Sequence, residues 1–278
     1  MAKAHTRRLK ELAALMRHHA CHRRHGPYKV GVDLGTANIA LVVVDYANQP
    51  VTGISYPSTV VKDGVVVDYL KASEVVSMLK AQLEERLGEP LKYAATAIPP
   101  GISSGDTKVI VNVVEAAGFT VTNVMDEPVA AAVALNITDG AVVDVGGGTT
   151  GMSVFCNNQV IFSADEPTGG THMTLVVAGA LNLQYEQAEA LKIAKENEAQ
   201  VFELIRPVVE KMATLVCGWL GQYPVKKLWL VGGASSFSQF ADVFSGVTNV
   251  PSVVAPEPLL VTPLGIAIKA KEVASVHL

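Results

Sequence analysis

The chain has 278 residues, of which 49% are hydrophobic and 17% charged, and its net charge at pH 7 is −4. This is enough apolar material for one bilobed unit or two domains, and no apolar run approaches the ~20 residues that span a bilayer. Three widely spaced cysteines (Cys21, Cys156 and Cys217) argue against a disulfide scaffold and against a paired-cysteine metal site. We therefore expect a cytosolic protein with reduced thiols.

The first 28 residues are basic, whereas the remainder is acidic. Seven Lys and Arg residues stand against Glu11 alone, which gives this segment +6 and leaves −10 for the rest. Its apolar residues fall at helical spacing on a narrow face, and Gly26 and Pro27 are expected to end the helix. We predict that residues 1–27 form a solvated tail or a short docking helix. The acidic body argues against nucleic-acid binding.

The pattern from residue 28 onward predicts strands that alternate with helices. The first half is expected to contain strands at 28–33, 39–45, 50–56, 93–98 and 119–124, with helices at 72–87 and 106–117. The second half is expected to contain strands at 141–144, 152–155, 159–163 and 228–231, with a long helix at 200–220. Three adjoining strands followed by alternating helix and strand predict a mixed sheet with helices on its faces.

Two glycine-tipped hairpins carry the chemistry. Within residues 30–38 an apolar run ends on Asp33, glycine and threonine follow at once, and a second apolar run begins. Residues 142–150 repeat this pattern around Asp144. One such hairpin could equally be a structural turn, but two copies indicate a shared function.

The composition of the hairpin tips suits phosphate. Glycines let the backbone adopt positive φ and approach another molecule closely, which leaves N–H groups for an anion. Asp33 and Asp144 repel phosphate, so we expect them to order Mg²⁺ through oxygens or water, with the metal bridging to the phosphate oxygens.

The hairpins resemble the two phosphate loops of the actin, Hsp70 and sugar-kinase superfamily, and residues 30–38 are most similar to the bacterial actin homologue MreB. The resemblance implies an α/β, actin-like ATPase (ribonuclease H-like) fold of two related lobes around a nucleotide. On this basis residues 1–27 are a basic N-terminal extension, residues 28–138 with 264–278 form lobe I, and residues 139–263 form lobe II.

Further motifs follow in the order of the superfamily. Glu127 and Pro128 open an alanine-rich helix that resembles the first connecting helix, and residues 262–267 resemble the second. Glu127 occupies the position that places the attacking water in relatives, although a carboxylate at a helix start is also favoured by the helix dipole. Gly232 and Gly233 resemble the turn that contacts adenosine.

The resemblance implies ATP or ADP and Mg²⁺ as ligands. Catalysis is assigned to Asp33, Glu127 and Asp144, and the two aspartates are also assigned to the metal. The expected nucleotide-binding residues are Gly35, Thr36, Ala37, Asn38, Gly146, Gly147, Gly148, Thr149, Thr150, Gly169, Gly170, Gly232, Gly233 and Ala234.

Two segments are shorter than in MreB. The chain passes almost directly from the third strand to Asp63, and from Lys192 to the helix at 200–220, where relatives insert outer subdomains that close the cleft. With both pieces reduced or absent, we expect weak nucleotide binding, slow turnover and no filaments. Asn38 stands near the place where actin uses a lysine, so assistance to phosphate departure is in doubt.

Residues 62–64, 164–170 and 210–213 resemble the EutJ family of ethanolamine-utilisation proteins, which are described as chaperone-like Hsp70 relatives encoded with bacterial microcompartment components. The resemblance implies a cytoplasmic protein, associated with a microcompartment, that helps to assemble or maintain its enzymes or shell, with slow ATP hydrolysis. Neither nucleic acid nor a membrane is an expected partner. A degenerate scaffold that docks partners without ATP turnover is the main alternative, and a small-molecule kinase is a further one.

Overall fold

A computed structural model describes residues 2–22, 27–221 and 223–271. The predicted helix stop at Gly26 lies outside these residues. The first half contains helix α1 (Ala2–Arg17), strands β1 (Lys29–Leu34), β2 (Asn38–Val44), β3 (Pro50–Pro57), β4 (Val61–Lys62) and β5 (Val65–Val66), helix α2 (Tyr69–Leu87), strand β6 (Tyr93–Ile98), helix α3 (Ser104–Ala116), strand β7 (Thr120–Asp126) and helix α4 (Glu127–Leu135).

The second half also begins with three successive strands, and it ends with a helix. It contains strands β8 (Gly140–Val145), β9 (Thr150–Cys156) and β10 (Gln159–Glu166), helices α5 (Gly170–Leu181), α6 (Tyr185–Ile193) and α7 (Glu198–Leu220), strand β11 (Leu228–Val231), helix α8 (Phe240–Thr248), strand β12 (Ser252–Val254) and helix α9 (Pro258–Lys269).

The two halves build sheets of the same topology. The first sheet has the order β3-β2-β1-β6-β7 and the second has the order β10-β9-β8-β11-β12. In each, three antiparallel strands are extended by two strands parallel to the first of them. The structure confirms the predicted fold, two related lobes each built on a mixed sheet.

Alternation along β2 explains how the first sheet is covered on both faces. Leu41 and Val43 belong to the apolar cluster that includes the buried side of α2. Val42 and Val44 belong to a second cluster, together with residues of α4 and α9. Because successive side chains of a strand point to opposite faces, a continuous apolar run here means burial on both sides.

Helices α4 and α9 cross in close contact, as the alanine-rich sequence of α4 predicts. A Cβ built on Gly265 of α9 would lie 1.7 Å from the carbonyl oxygen of Ala130 in α4. A Cβ on Gly31 of β1 would lie 2.4 Å from the backbone nitrogen of Ala267. Glycine at these two positions lets α9 pack directly on α4 and on the central strand of lobe I.

Short connections stand where the outer subdomains of relatives would be inserted. Strands β4 and β5 form a small hairpin, whose turn residues Asp63 and Gly64 have φ values of 49° and 79°. Two adjacent positive φ angles are typical of the tight turns that join hairpin strands. On the other lobe, a single 3₁₀ turn at Lys195–Asn197 links α6 to α7.

The predicted solvated tail is wrong for residues 2–22, the described part of the N-terminal extension, whereas the predicted short helix is present as α1 and packs on the core. Leu9 and Leu12 of α1 are fully buried, in the cluster shared by α4 and α9. Met16 packs on Gly53 of β3, and the ring of His5 meets that of Trp229 in β11 edge to face, with 6.4 Å between centroids. The narrow apolar face of α1 is sufficient to anchor the helix, because residues of both lobes pack around it.

Truncation of the buried Leu12 side chain tests the packing of α1 on the core. We expect Leu12→Ala to lower the free energy of unfolding by about 2–5 kcal/mol, because a fully buried leucine is lost and a cavity remains. Urea denaturation followed by circular dichroism measures the change. Lys10→Ala, on the exposed face of the same helix, is the control and should change stability by less than ~0.5 kcal/mol. Equal effects of the two variants would contradict the packing of α1 on the core.

The helix crossing gives a second prediction. Gly265→Ala should destabilise the protein by about 3 kcal/mol or more, because its methyl group would overlap the carbonyl of Ala130. Gly246→Ala in α8 is the matched control, since a Cβ there meets nothing within 4 Å. The control should be more stable than the wild type by about 0.5–1 kcal/mol, because alanine favours a helix interior. Thermal melting of both variants separates the two outcomes, and a stable Gly265→Ala protein would show that the crossing tolerates side chains.

Candidate functional site

A cavity of about 400 Å³ lies between the two lobes. Its walls are the two glycine hairpins, the turn after β11, the start of α4, the first turns of α9 and the end of α6. The sequence-predicted residues that line it are Asp33, Gly35, Thr36, Ala37, Asn38, Glu127, Asp144, Gly146, Gly147, Gly148, Thr149, Gly170, Gly232, Gly233 and Ala234. Residues far apart in sequence are thus brought to one cleft.

Three carboxyl groups face this cavity from different elements. Asp33 comes from β1, Asp144 from the equivalent strand β8, and Glu127 from the first residue of α4. Asp144 is buried, and Asp33 and Glu127 are half-buried. The structural repeat explains the arrangement, since the two aspartates occupy corresponding places in the two sheets.

The carboxyl groups favour their neutral forms. Burial, followed by the charge of Asp144, raises the pKa of Asp33 to about 7. Burial raises the pKa of Asp144 to about 6, although a hydrogen bond from Thr262 acts in the opposite direction. Burial and then the neighbouring carboxylates raise the pKa of Glu127 well above its usual range. A cation or proton in the cleft would relieve this repulsion.

A fourth carboxyl group stands behind the second hairpin. Burial raises the pKa of Asp165 to about 7, although a hydrogen bond from Thr149 lowers it. Oxygen Oδ1 of Asp165 is buried without a hydrogen-bond partner. Asp165 does not line the cavity, but it adds negative charge near Asp144.

The hairpin tips touch one another, and this corrects one part of the sequence prediction. None of the four tip glycines (Gly35, Gly146, Gly147 and Gly148) has positive φ, so conformational freedom is not what they provide. A Cβ on Gly147 would lie 2.9 Å from the Cβ of Ala37, and one on Gly148 would lie 2.5 Å from Oγ1 of Thr36. At Gly147 and Gly148 glycine is needed because the two lobes approach closely there.

The turn after β11 does require a positive φ. Gly232 has φ 86°, and a Cβ there would lie 2.4 Å from Oδ1 of Asp144. Its backbone N–H donates to the carbonyl of Pro258, at the start of α9, over 3.0 Å. The turn therefore joins Asp144 to the helix that crosses to lobe I.

A lysine and a glutamate from α6 reach the cavity from the side of lobe II. The ammonium group of Lys192 lies 2.7 Å from Oε2 of Glu189, and it donates to the carbonyl of Gly170 at 3.0 Å and to Oγ1 of Thr174 at 2.7 Å. Its side chain is only 9% exposed. Among the described lining residues, Lys192 and Lys195 are the cationic side chains.

Two predicted binding residues lie outside the cavity lining. Thr150 is fully buried and its hydroxyl donates to the carbonyl of Thr168 at 2.6 Å. Gly169 lies behind the second hairpin, where a Cβ would meet the carbonyl oxygens of Gly146 and Gly147 at 2.7 Å. Both residues support the hairpin from behind and are not placed to touch a ligand in the cavity.

Sequence analysis did not assign several residues that line the cavity. The sequence gives Glu189 and Lys192 no role at the site, although their spacing of three on a helix predicts a surface ion pair. Leu259 in α9 carried no local signal, and Thr262 was predicted only as the start of the second connecting helix. The place of Leu259 became visible only through its contact with Gly233, and that of Thr262 through its hydrogen bond to Asp144.

The donor set fits a hard cation held partly through water. Asp33, Asp144 and Glu127 present carboxylate oxygens, which Mg²⁺ prefers. Among the described residues, no group of three or more His, Cys, Asp or Glu side chains is arranged to hold a metal directly. Mg²⁺ usually keeps several waters and binds through one or two carboxylates together with substrate phosphates.

Comparisons with known proteins agree with this geometry. The MreB/Mbl protein model matches residues 54–201, and the model of cell division protein FtsA matches residues 141–274. Ethanolamine utilization protein EutJ of Escherichia coli is 37% identical over 249 residues, which cover 89% of this chain and 88% of that protein. The chain belongs to the EutJ family.

Solved structures show the same relationship. The crystal structure of EutJ from Carboxydothermus hydrogenoformans superposes with a TM-score of 0.91 at 44% identity, covering 96% of this chain and 98% of that one. MreB5 of Spiroplasma citri bound to ADP superposes with a TM-score of 0.69 at 17% identity, covering 86% and 94% of the two chains. The latter likeness confirms the actin-like fold for this EutJ-family chain. Within the described residues, no helix is both long and apolar enough to cross a bilayer.

The raised carboxyl pKa values predict how stability depends on pH. A carboxyl group whose pKa is higher in the folded protein holds its proton where the unfolded chain has lost it, so the free energy of unfolding falls as pH rises from about 4 to about 7. Replacement of Asp33 by Asn removes this group. Relative to the wild type, Asp33→Asn should gain about 1–3 kcal/mol in stability between pH 5 and pH 8.

Urea denaturation at several pH values, without nucleotide or divalent cation, measures this difference. Asp242→Asn on α8 is the control, because Asp242 is exposed and lies outside the cavity lining. The control should follow the wild-type pH dependence. If the free energy of unfolding of wild type and of Asp33→Asn changed with pH in the same way, burial and the other charges in the cleft would not raise the pKa of Asp33.

Proposed function

We propose that this EutJ-family protein binds Mg²⁺ and ATP in the cleft between its lobes, hydrolyses ATP slowly, and acts as a chaperone-like factor in ethanolamine utilisation. The observation that carries the proposal is that Asp33, Glu127 and Asp144 share one cavity with two glycine hairpins. Buried carboxyl groups that repel each other beside backbone donors form a site for a cation and an anion together.

The hairpin tips are assigned to the phosphates. Gly35 and Thr36 on one side, and Gly146 to Thr149 on the other, line the narrow end of the cavity. Backbone N–H groups at such tips can approach phosphate oxygens because no Cβ intervenes. Nearby Lys192 is tied to Glu189 and Gly170, so we assign it to holding the cleft wall of lobe II.

Asp33 and Asp144 would hold Mg²⁺ through its water shell. When bound, the metal would neutralise charge on the phosphates and allow both aspartates to ionise. Glu127 would orient the attacking water and accept its proton. Burial and the neighbouring carboxylates raise the pKa of Glu127, and a bound cation would counter this effect, because positive charge favours the ionised form that accepts a proton.

The nucleoside would lie against Gly232 and Gly233. At the cavity mouth Ile193 is 68% exposed and Leu259 is 46% exposed. A base held there would remain partly in water, so we expect an affinity weaker than micromolar. Sub-micromolar binding of ATP in calorimetry would contradict this part of the proposal.

The cellular role is inferred from the family. EutJ relatives carry ethanolamine utilization in their names, and we propose that the partners of this chain are ethanolamine-utilisation enzymes or the shell proteins of a bacterial microcompartment in the cytoplasm. Nucleotide-dependent movement of the two lobes would then assist assembly or maintenance of these partners.

Phosphate release tests the site. We expect slow, Mg²⁺-dependent release of phosphate from ATP, and Asp144→Asn should lower its rate at least ~100-fold, because the carboxylate that orders the cation is lost. A malachite-green assay measures the rate, with EDTA as a blank. Asp242→Asn should retain the wild-type rate, since Asp242 is remote from the cavity.

One observation favours a second candidate function, a scaffold that docks partners without turning over ATP. The hairpin tips already touch, with Gly147 against Ala37 and Gly148 against Thr36. They must separate before a terminal phosphate can enter between them. Equal phosphate release from wild type and Asp144→Asn at the EDTA background would support the scaffold and overturn the ATPase.

A further inference from the structure

The carboxylate of Asp144 is fixed from two sides. The hydroxyl of Thr262 in α9 donates to its Oδ2 over 2.5 Å, and both residues are buried, with 5% and 6% of their surface exposed. On the other side, Gly232 lies so close that a Cβ would stand 2.4 Å from Oδ1. The carboxylate is therefore held by a hydrogen bond at one oxygen and closely approached by backbone at the other.

This contact connects different parts of the fold. Asp144 ends the central strand of the second sheet, whereas α9 packs along β1 and β2 of the first sheet. The residue after Thr262, Pro263, is held against β1, since its carbonyl would lie 2.7 Å from a Cβ on Gly31. The Thr262 hydroxyl thus couples the orientation of a cleft carboxylate to the helix that crosses between the lobes.

The hydrogen bond from Thr262 acts on a carboxylate that lies among other carboxyl groups. Asp33, Glu127 and Asp165 lie close enough to Asp144 for negative charges on these groups to repel the charge on Asp144. The Thr262 hydroxyl occupies one acceptor position on Oδ2 of Asp144 and leaves the other acceptor positions of the carboxylate for further hydrogen bonds. The side chain is then ready to accept hydrogen bonds from the water shell of a cation.

We propose that Thr262 is a positioning residue for the divalent cation, acting through the Asp144 carboxylate. The inference rests on the proposed function, because it assigns Thr262 a task at the same site. Partners that orient a metal-binding carboxylate commonly change metal affinity by 10–100-fold when they are removed. A merely structural role would change stability but not the dependence of nucleotide binding on Mg²⁺.

The test compares three variants of the full chain. Thr262→Val removes the hydroxyl and keeps the shape, and Thr262→Ser keeps the hydroxyl. Thr248→Val is the matched control, because Thr248 is a buried threonine of the same lobe whose hydroxyl donates to Phe244, away from the cavity. Thr262→Ala replaces Thr262→Val if the latter does not fold.

Binding of a fluorescent methylanthraniloyl-ATP is titrated with Mg²⁺ and with EDTA, and the ratio of the two Kd values gives the Mg²⁺ coupling. Thr262→Val should lose at least ~10-fold of this coupling while its Kd in EDTA stays within about twofold of wild type. Thr262→Ser and Thr248→Val should keep the wild-type ratio.

The outcomes separate this inference from the proposed function. If wild type binds the nucleotide without any Mg²⁺ coupling, the proposed function fails and the inference fails with it. If wild type shows coupling and Thr262→Val keeps it, only the positioning role is overturned. A lower melting temperature of Thr262→Val with unchanged coupling would show that the hydroxyl serves stability alone.

Discussion

Helices α4 and α9 cross so closely that only glycine fits at residue 265, and this crossing determines the geometry of the cleft. Glu127 begins one of these helices, and Thr262 lies in the first turns of the other. Strand β1, which ends beside Asp33, packs on α9 at Gly31. Because protein interiors are close-packed, a shift of either helix would move carboxylates from both lobes together.

The concentration of carboxyl groups explains much of the chemistry of the cleft. Burial raises the pKa values of Asp33, Glu127, Asp144 and Asp165, and neighbouring carboxylates raise those of Asp33, Glu127 and Asp165 further. Such an arrangement destabilises the empty protein as pH rises, and a bound cation would relieve it. Perturbed carboxyl groups in a cleft are a feature of functional sites.

The N-terminal helix and the short β4–β5 hairpin both contribute contacts between the two lobes. Helix α1 fills an apolar gap between structures of both lobes, so the basic segment is part of the core. The turn of the β4–β5 hairpin contacts the second glycine hairpin, at residues 142–150. A Cβ on Gly148 would lie 2.9 Å from the Cα of Asp63. Lobe I thus touches lobe II at the second hairpin through both Asp63 and the first hairpin.

The sequence by itself determined the two hairpins, the order of strands and helices, and the family, because turn chemistry, periodicity and motif spacing are local properties. Most of the residues that it predicted for the site line the cavity, for the same reason. Only the tertiary structure decided that α1 is buried, since a narrow apolar face at Leu9 and Leu12 cannot reveal which surface covers it. Likewise, the bond between Thr262 and Asp144 joins residues 118 positions apart and leaves no local signal. Contacts of this kind depend on how the lobes pack, which periodicity within one element does not specify.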